Sequence, residues 1–119
     1  MRNDSLVQKI LEENFPVECE TVGPTNVQDI VEGGIQFTSA EHGSYMDLGQ
    51  AILVLVGAVG FIANALQVYA ILKDELKRDP LIGEIEVLVI TNSNDFQELD
   101  EETRRRLIAG IIYKLKGTT

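Results

Sequence analysis

The pattern of hydrophobic and polar positions is dominated by one apolar stretch, Ala51–Leu72. It contains no charged residue and only two amide side chains, Asn64 and Gln67. As a helix it would be about 33 Å long, close to the thickness of the hydrocarbon core of a bilayer. A helix that is hydrophobic on all sides must be covered by lipid, by the rest of its own chain or by copies of itself.

Polar residues on either side set the expected limits of this helix. Ser44 or Asp47 is the predicted N-cap, and the polar sequence KDELKRD forms the predicted last turns, up to about Arg78. Pro80 then stops the helix, because proline cannot continue the helical hydrogen bonding. The sequence therefore predicts one long helix within residues 46–79.

Shorter elements flank the long helix. Apolar residues at helical spacing predict a helix from an N-cap at Ser5 to about Asn14 and another over Glu101–Lys116, capped by Asp100. Residues 17–45 contain two patches, VECETV and GIQFTSA, that predict two short strands or extended pieces. Between them, Val27, Ile30 and Val31 predict a helical turn or a short helix. The β-branched run EIEVLVIT predicts a strand over Glu84–Thr91.

These elements together predict an α+β fold, with the long apolar helix packed against a small sheet and two shorter amphipathic helices. A chain of 119 residues suffices for one domain with a real core. We expect a single domain over residues 1–119, made of a short helix and an irregular β segment (1–45), the long helix (46–79) and a strand followed by a helix (84–116).

Small and polar residues recur along one face of the long helix. Gly57, Gly60, Asn64, Gln67 and Ile71 follow one another at spacings of three or four residues. A glycine inside a helix costs about 1 kcal/mol relative to alanine, and it allows a second backbone to approach closely. These five residues are the predicted interface. Alternatively, the two glycines relieve crowding against a bulky core residue.

Composition narrows the classes of partner. The formal net charge of -9 argues against nucleic acid, whose phosphates require a basic surface. The single Cys19 cannot form an intramolecular disulfide, which fits a reducing compartment, and the first residues lack the apolar segment of a signal peptide. We therefore expect a cytoplasmic protein, with a single-pass membrane protein as the alternative.

No motif names a catalytic, metal or cofactor site. The only histidine, His42, lies in the Gly/Ser-bearing sequence EHGSY and is expected to be solvated. The acidic run from Asp95 to Glu102 lacks the spacing of a calcium loop and is expected to cap a helix. Gly33-Gly34 lacks the context of a phosphate loop. We predict a protein that is not an enzyme and binds no cofactor.

The order of elements from about Asp47 to Lys116 resembles a known class of small domain. A glycine- and alanine-bearing apolar helix is followed by a charged tail, by EIEVLVIT and by RRRLIAGIIYKL. This layout resembles the effector-associated interaction modules of prokaryotic conflict systems. The resemblance implies an adaptor that couples a sensor to a larger effector through homotypic contacts, and it assigns no functional residue.

Three functions follow as hypotheses. The first is a non-enzymatic interaction module that self-associates through the long helix, with a larger effector or sensor protein as a further partner. The second is a single-pass membrane protein with a cytoplasmic C-terminal strand and helix, because Lys73, Lys77 and Arg78 follow the apolar stretch. The third is a small ligand-binding or enzyme-subunit domain with its pocket in residues 17–45.

Overall fold

A computed structural model describes residues 4–33, 46–92 and 99–116, and 89% of these residues are helical. No strand occurs within the described ranges, so the predicted α+β class is wrong and the described chain is all-helical. The six helices are α1 (Asp4–Asn14), α2 (Pro16–Val22), α3 (Pro24–Glu32), α4 (Met46–Leu76), α5 (Ile82–Asn92) and α6 (Glu101–Lys116).

The first predicted strand, VECETV, is helix α2. Pro16 occupies the first turn, where a missing N–H costs no hydrogen bond. Phe15, Cys19 and Val22 are buried, and their spacing of i, i+4 and i+7 is that of a helix face. Val17, which strand alternation would place with Cys19, is 72% exposed. The predicted second piece, GIQFTSA, lies outside the described residues together with His42 and Ser44.

The strand predicted over Glu84–Thr91 is also helical and belongs to α5. Leu81 is its N-cap residue, and the Leu81 backbone N–H donates to Glu84 Oε1 at 2.8 Å, which is half of a capping box. Ile85 and Val89 are buried one turn apart. The β-branched side chains lower helix propensity only by tenths of a kcal/mol each, so capping and packing outweigh them here.

The other predicted helices are confirmed, but Ser5 and Asp47 are not N-caps, because Ser5 lies inside α1 and Asp47 lies inside α4. Helix α6 has the predicted limits, and the Thr103 N–H donates to Asp100 Oδ1 at 2.8 Å, as expected of an N-cap aspartate. Helix α3 is the predicted short helix around Val27 and Ile30, and it ends at Gly33 in the left-handed conformation, with φ of 85°. Helix α4 ends at Leu76, slightly before the expected end at Arg78.

The contacts divide the chain into two compact units, residues 1–59 and 60–119, with the boundary inside α4. In the first unit, α1, α2 and α3 pack against one another in pairs. Their buried side chains are all apolar apart from the Cys19 thiol: Val7, Ile10, Leu11, Phe15, Cys19, Val22, Val27, Ile30 and Val31. The single domain expected over residues 1–119 stays a prediction.

In the second unit, α5 packs against α6. An acidic side chain of α5 joins the two helices: Glu86, with its side chain 8% exposed, lies 2.9 Å from Arg105 Nε and 3.4 Å from Arg104 Nε. Arg105 also pairs with Glu101 at 2.8 Å. Two of the three consecutive arginines of α6, Arg104 and Arg105, therefore neutralise a buried carboxylate.

Candidate interaction face on helix α4

Helix α4 buries one narrow stripe of its surface. The members of this stripe recur at alternating spacings of four and three residues, the repeat of a helix packing seam. Small and large side chains alternate along the stripe as far as Tyr69, and a second large residue follows at its end: Ala51, Leu55, Ala58, Ile62, Ala65, Tyr69 and Leu72. Phe61, next to this stripe, is also fully buried.

The predicted interface lies nearly opposite the buried stripe. At 3.6 residues per turn, the two sets of residues point roughly 150° apart around the helix axis. Gly57, Gly60 and Asn64 are partly exposed, whereas Gln67 and Ile71 are exposed. We call these five residues together with Leu53 the outward face of α4.

Leu53 belongs to the outward face although it is not one of the five residues predicted from the sequence. It precedes Gly57 by four residues, so it continues the same repeat toward the N-terminus, and its side chain is 59% exposed. Ile71, at the other end, is 57% exposed. The helical repeat identifies Leu53 as a member of this face. It was not predicted because its side chain is large, like those on the other faces of the helix.

Asn64 is partly satisfied within its own helix. Its side-chain Nδ2 donates to the backbone carbonyl of Gly60 at 2.8 Å. Because this hydrogen bond satisfies one donor of the Asn64 amide, the free-energy cost of removing the amide from water is lower when the face is covered. The face therefore presents an apolar surface with small residues in its middle.

Charged residues limit the outward face at its C-terminal end. Asp74 and Glu75 are exposed and follow Ile71 on the same side of the helix. On the other side, Tyr69 Oη donates to Asp79 Oδ1 at 3.0 Å, and Lys73 lies 3.7 Å from the same oxygen. No charged residue occurs in α4 between Asp47 and Lys73, so the outward face is uncharged along its length.

The remaining candidate groups show no arrangement for chemistry. Burial and the nearby carboxylates of Glu12 and Glu18 raise the pKa of the Cys19 thiol to about 11, which opposes thiolate formation. Asp100 caps α6, and its hydrogen bonds with Thr103 hold its pKa below the usual range. Over the described ranges, no group of three or more histidine, cysteine and acidic residues could hold a metal ion.

A shallow groove of about 370 Å³ lies between α1 and α3. Its lining residues are polar or charged apart from Val31, and some of them bond along their own helix: Gln8 donates to Glu12 and Gln28 donates to Glu32, both at 3.2 Å. Small-molecule sites are usually concave and apolar with a few convergent polar groups. With Val31 as its single apolar lining residue, this groove lacks the aliphatic and aromatic side chains that line such a site.

By length and composition, one helix in the described part of the chain could cross a membrane. The segment Gly49–Leu76 has 28 residues, and 39% of its most apolar window is buried inside the protein. The core helix of a soluble protein is mostly buried, and a lipid-facing helix is mostly exposed. Residues 49–76 lie between these cases, because the chain covers one face of α4 and leaves the opposite face accessible.

Comparisons with known proteins give no relative from which to infer a role. No family model matches the chain, and no curated protein or solved structure matches it.

Proposed function

We propose that this protein is a non-enzymatic, cytoplasmic interaction module that self-associates through the outward face of α4. The observation that carries the proposal is this accessible, uncharged face, opposite the stripe that the chain buries. Leu53 and Ile71 expose more than half of their side chains there. Further binding to a larger effector or sensor protein, the role implied by the layout of the sequence, belongs to the same proposal.

Covering the outward face with a second copy would remove apolar surface from water. Complete burial of a leucine or isoleucine side chain contributes about 1.5–3 kcal/mol, and Leu53 and Ile71 have more than half of this contribution still to gain. Two such residues on each copy supply several kcal/mol before the cost of association is subtracted. The absence of charge along the face means that no ion must be desolvated when it is covered.

The glycines of the outward face set the closeness of the contact. Without side chains at Gly57 and Gly60, a second helix can approach the α4 backbone and gain dispersion contacts along its length. A large side chain at either position would hold the helices apart. This consequence distinguishes a glycine that serves an interface from one that is merely tolerated.

The test replaces Gly60 with leucine and compares the variant with a matched glycine elsewhere. Gly83, in the first turn of α5, is exposed, and a Cβ atom added there meets no other atom within 4 Å. Both Gly60→Leu and Gly83→Leu raise helix propensity by about 0.8–1 kcal/mol, so neither is expected to weaken its helix.

Size-exclusion chromatography with light scattering measures the outcome. We expect wild type and Gly83→Leu to have the same mass, above the 13.2 kDa of one chain. Gly60→Leu should raise the dissociation constant at least about tenfold, which corresponds to 1.4 kcal/mol. A Gly60→Leu variant that associates as tightly as wild type would exclude the outward face as the contact.

A single-pass membrane protein is the second candidate, favoured by the length and composition of residues 49–76. In this case lipid would cover the outward face, and Lys73, Lys77 and Arg78 would place the C-terminal end in the cytoplasm. Recovery of the untagged protein in the soluble fraction without detergent would exclude this candidate.

A charge in the middle of α4 gives an independent test of the membrane candidate. Ala63 is exposed and lies near the middle of the apolar stretch. An Ala63→Arg change should disfavour insertion by about 2.5–3.5 kcal/mol if the helix spans a bilayer. If the protein is soluble, the charge at this exposed position should leave its recovery in the soluble fraction unchanged.

A further inference from the structure

We propose that α5 is a conformational switch, in which two glutamates hold residues Glu84–Thr91 as a helix and oppose their pairing as a strand with the same residues of other copies. This switch is independent of the proposed self-association through α4. In the single folded chain, α5 is helical and packs against α6. Loss of both glutamate charges releases the segment and allows it to pair between chains.

The composition of Glu84–Thr91 suits an extended chain as well as a helix. The segment contains neither glycine nor proline, and no charged residue follows Glu86 within it. Short segments with high β-propensity, low charge and no proline are the ones that stack between chains as cross-β strands. Five of the eight residues are β-branched and so favour strands: Ile85, Val87, Val89, Ile90 and Thr91.

The helix buries only part of the apolar surface of this segment. Ile85 and Val89 are buried, whereas Val87 is 62% exposed and Leu88 and Ile90 are each 37% exposed. In stacked strands, successive side chains point to opposite faces, and both faces can be covered between paired sheets. Pairing between copies would therefore remove apolar surface from water that the helix leaves exposed.

Glu84 fixes the start of the helix. Its Oε1 accepts the Leu81 backbone N–H at 2.8 Å, which satisfies one of the N–H groups that a helix leaves unpaired at its first turn. The Arg78 guanidinium donates to both oxygens of the same carboxylate, at 3.1 Å and 2.9 Å. Glu84 therefore ties the first turn of α5 to the chain that precedes it.

Glu86 fixes the same helix from another side. Its carboxylate lies 2.9 Å from Arg105 Nε and 3.4 Å from Arg104 Nε, both on α6. In a helix, two residues at this spacing point roughly 160° apart, so Glu84 and Glu86 reach partners on different sides. A strand would turn both glutamates to one face, and they could not keep these two sets of partners together.

The two glutamates also oppose the stacked form directly. In a parallel in-register stack, each glutamate lies about 4.7–4.8 Å from the same residue of the next copy. Like charges that face each other across strands are destabilising, and a charge beside an apolar strand limits its assembly. Glu84 and Glu86 therefore stabilise the helix and destabilise the alternative, so removal of their charges acts twice in the same direction.

The test compares full-length wild type with the double variant Glu84→Gln/Glu86→Gln at one protein concentration and neutral pH. Loss of helix is followed by circular dichroism, and cross-β assembly by thioflavin T fluorescence and by the strand spacing of about 4.7–4.8 Å in fibre diffraction. Association through α4 keeps its helices, so these measurements do not report it.

Two controls separate release of α5 from general effects. Glu18→Gln/Glu20→Gln removes the same number of charges at the same spacing from another helix, α2. Leu11→Ala, at a fully buried position of α1, lowers stability without changing α5. The decisive variant adds Val87→Lys to the double variant, because a lysine is tolerated at this exposed helical position but places a row of like charges in a stack.

We expect the double variant to convert at least about tenfold faster than wild type and both controls, since each lost hydrogen bond to a charged group raises the released fraction by about that factor. Val87→Lys should return the double variant to the behaviour of wild type. Glu84→Gln alone leaves the link to α6 in place and should convert at an intermediate rate, which provides a measurement if the double variant does not fold.

Three outcomes would overturn the inference. Both Glu84→Gln and the double variant could remain as helical and as soluble as wild type. Either control could convert as fast as the double variant, which would make net charge or general unfolding the cause. Val87→Lys could leave the conversion unchanged, which would place the pairing segment elsewhere in the chain.

Discussion

The link between α5 and α6 through Glu86 leads to a quantitative prediction. Glu86→Gln removes the carboxylate charge but keeps the shape of the side chain and one acceptor oxygen. In the wild type, this carboxylate is 8% exposed and faces Arg105 Nε at 2.9 Å and Arg104 Nε at 3.4 Å. Its loss leaves Arg104, whose side chain is 19% exposed, without its ionic partner.

The magnitude follows from the exposure of the two arginines. Removing one partner of a fully buried ion pair costs about 3–5 kcal/mol, and a hydrogen bond to a charged group contributes about 1.5–3 kcal/mol. Arg105 is 55% exposed and keeps Glu101, so the cost should fall well below the buried limit. We expect Glu86→Gln to lower the free energy of unfolding by about 1.5–2.5 kcal/mol, within the range for a hydrogen bond to a charged group.

Urea unfolding followed by circular dichroism measures this loss, with Glu20→Gln as the matched control. Glu20 is exposed, so the same chemical change there should alter stability by less than about 0.5 kcal/mol. For a chain of this size, the loss at Glu86 corresponds to a melting temperature lower by roughly 6–10 °C. Equal stability of Glu86→Gln and wild type would contradict the contribution of a buried Glu86 that joins α5 to α6.

Two further predictions concern helix ends. Lys77 has φ of 60°, a left-handed conformation that favours glycine. Lys77→Gly should therefore raise the free energy of unfolding by up to about 1 kcal/mol, and a lower midpoint in thermal unfolding would contradict this. The second prediction concerns Asp100, whose hydrogen bonds with Thr103 hold its pKa below the usual value. The stability that its charge contributes is therefore fully present above about pH 4, the ordinary aspartate range, and is lost as pH falls through the lowered pKa. Asp100→Asn keeps a capping side chain without the charge, so its melting temperature should fall less than that of wild type between pH 5 and pH 2, and parallel curves would refute this role.

Local signals made some helices predictable from the sequence. Helix α6 was predicted with its observed limits because its cap, its acidic first turn and its apolar stripe all lie within the helix or next to it. Helix α4 was recognisable because an apolar run of this length has few other conformations available. In both cases the deciding interactions are close in sequence.

The two predicted strands that lie within the described residues are wrong for a common reason. A short apolar run such as EIEVLVIT fits a buried strand and a buried helix equally well by periodicity. The choice in α5 depends on the Leu81–Glu84 cap and on packing against α6, including the pairing of Glu86 with arginines 18 and 19 residues away. Propensity within the run does not contain this information.

The candidate face was predictable in direction but not in extent. The glycine and amide repeat located one side of α4, and those residues do lie together on its outward side. Which sides the chain itself covers depends on the tertiary structure, so the repeat alone could not show that Leu53 is exposed. That a second copy covers this face remains the proposal.

The mass of the untagged protein in detergent-free buffer tests self-association most directly. Sedimentation equilibrium over a hundredfold range of concentration gives this mass without a matrix or a label. The proposed self-association predicts a mass that rises above 13.2 kDa as the concentration increases. A mass of 13.2 kDa at every concentration, or a protein that requires detergent to remain in solution, would contradict it.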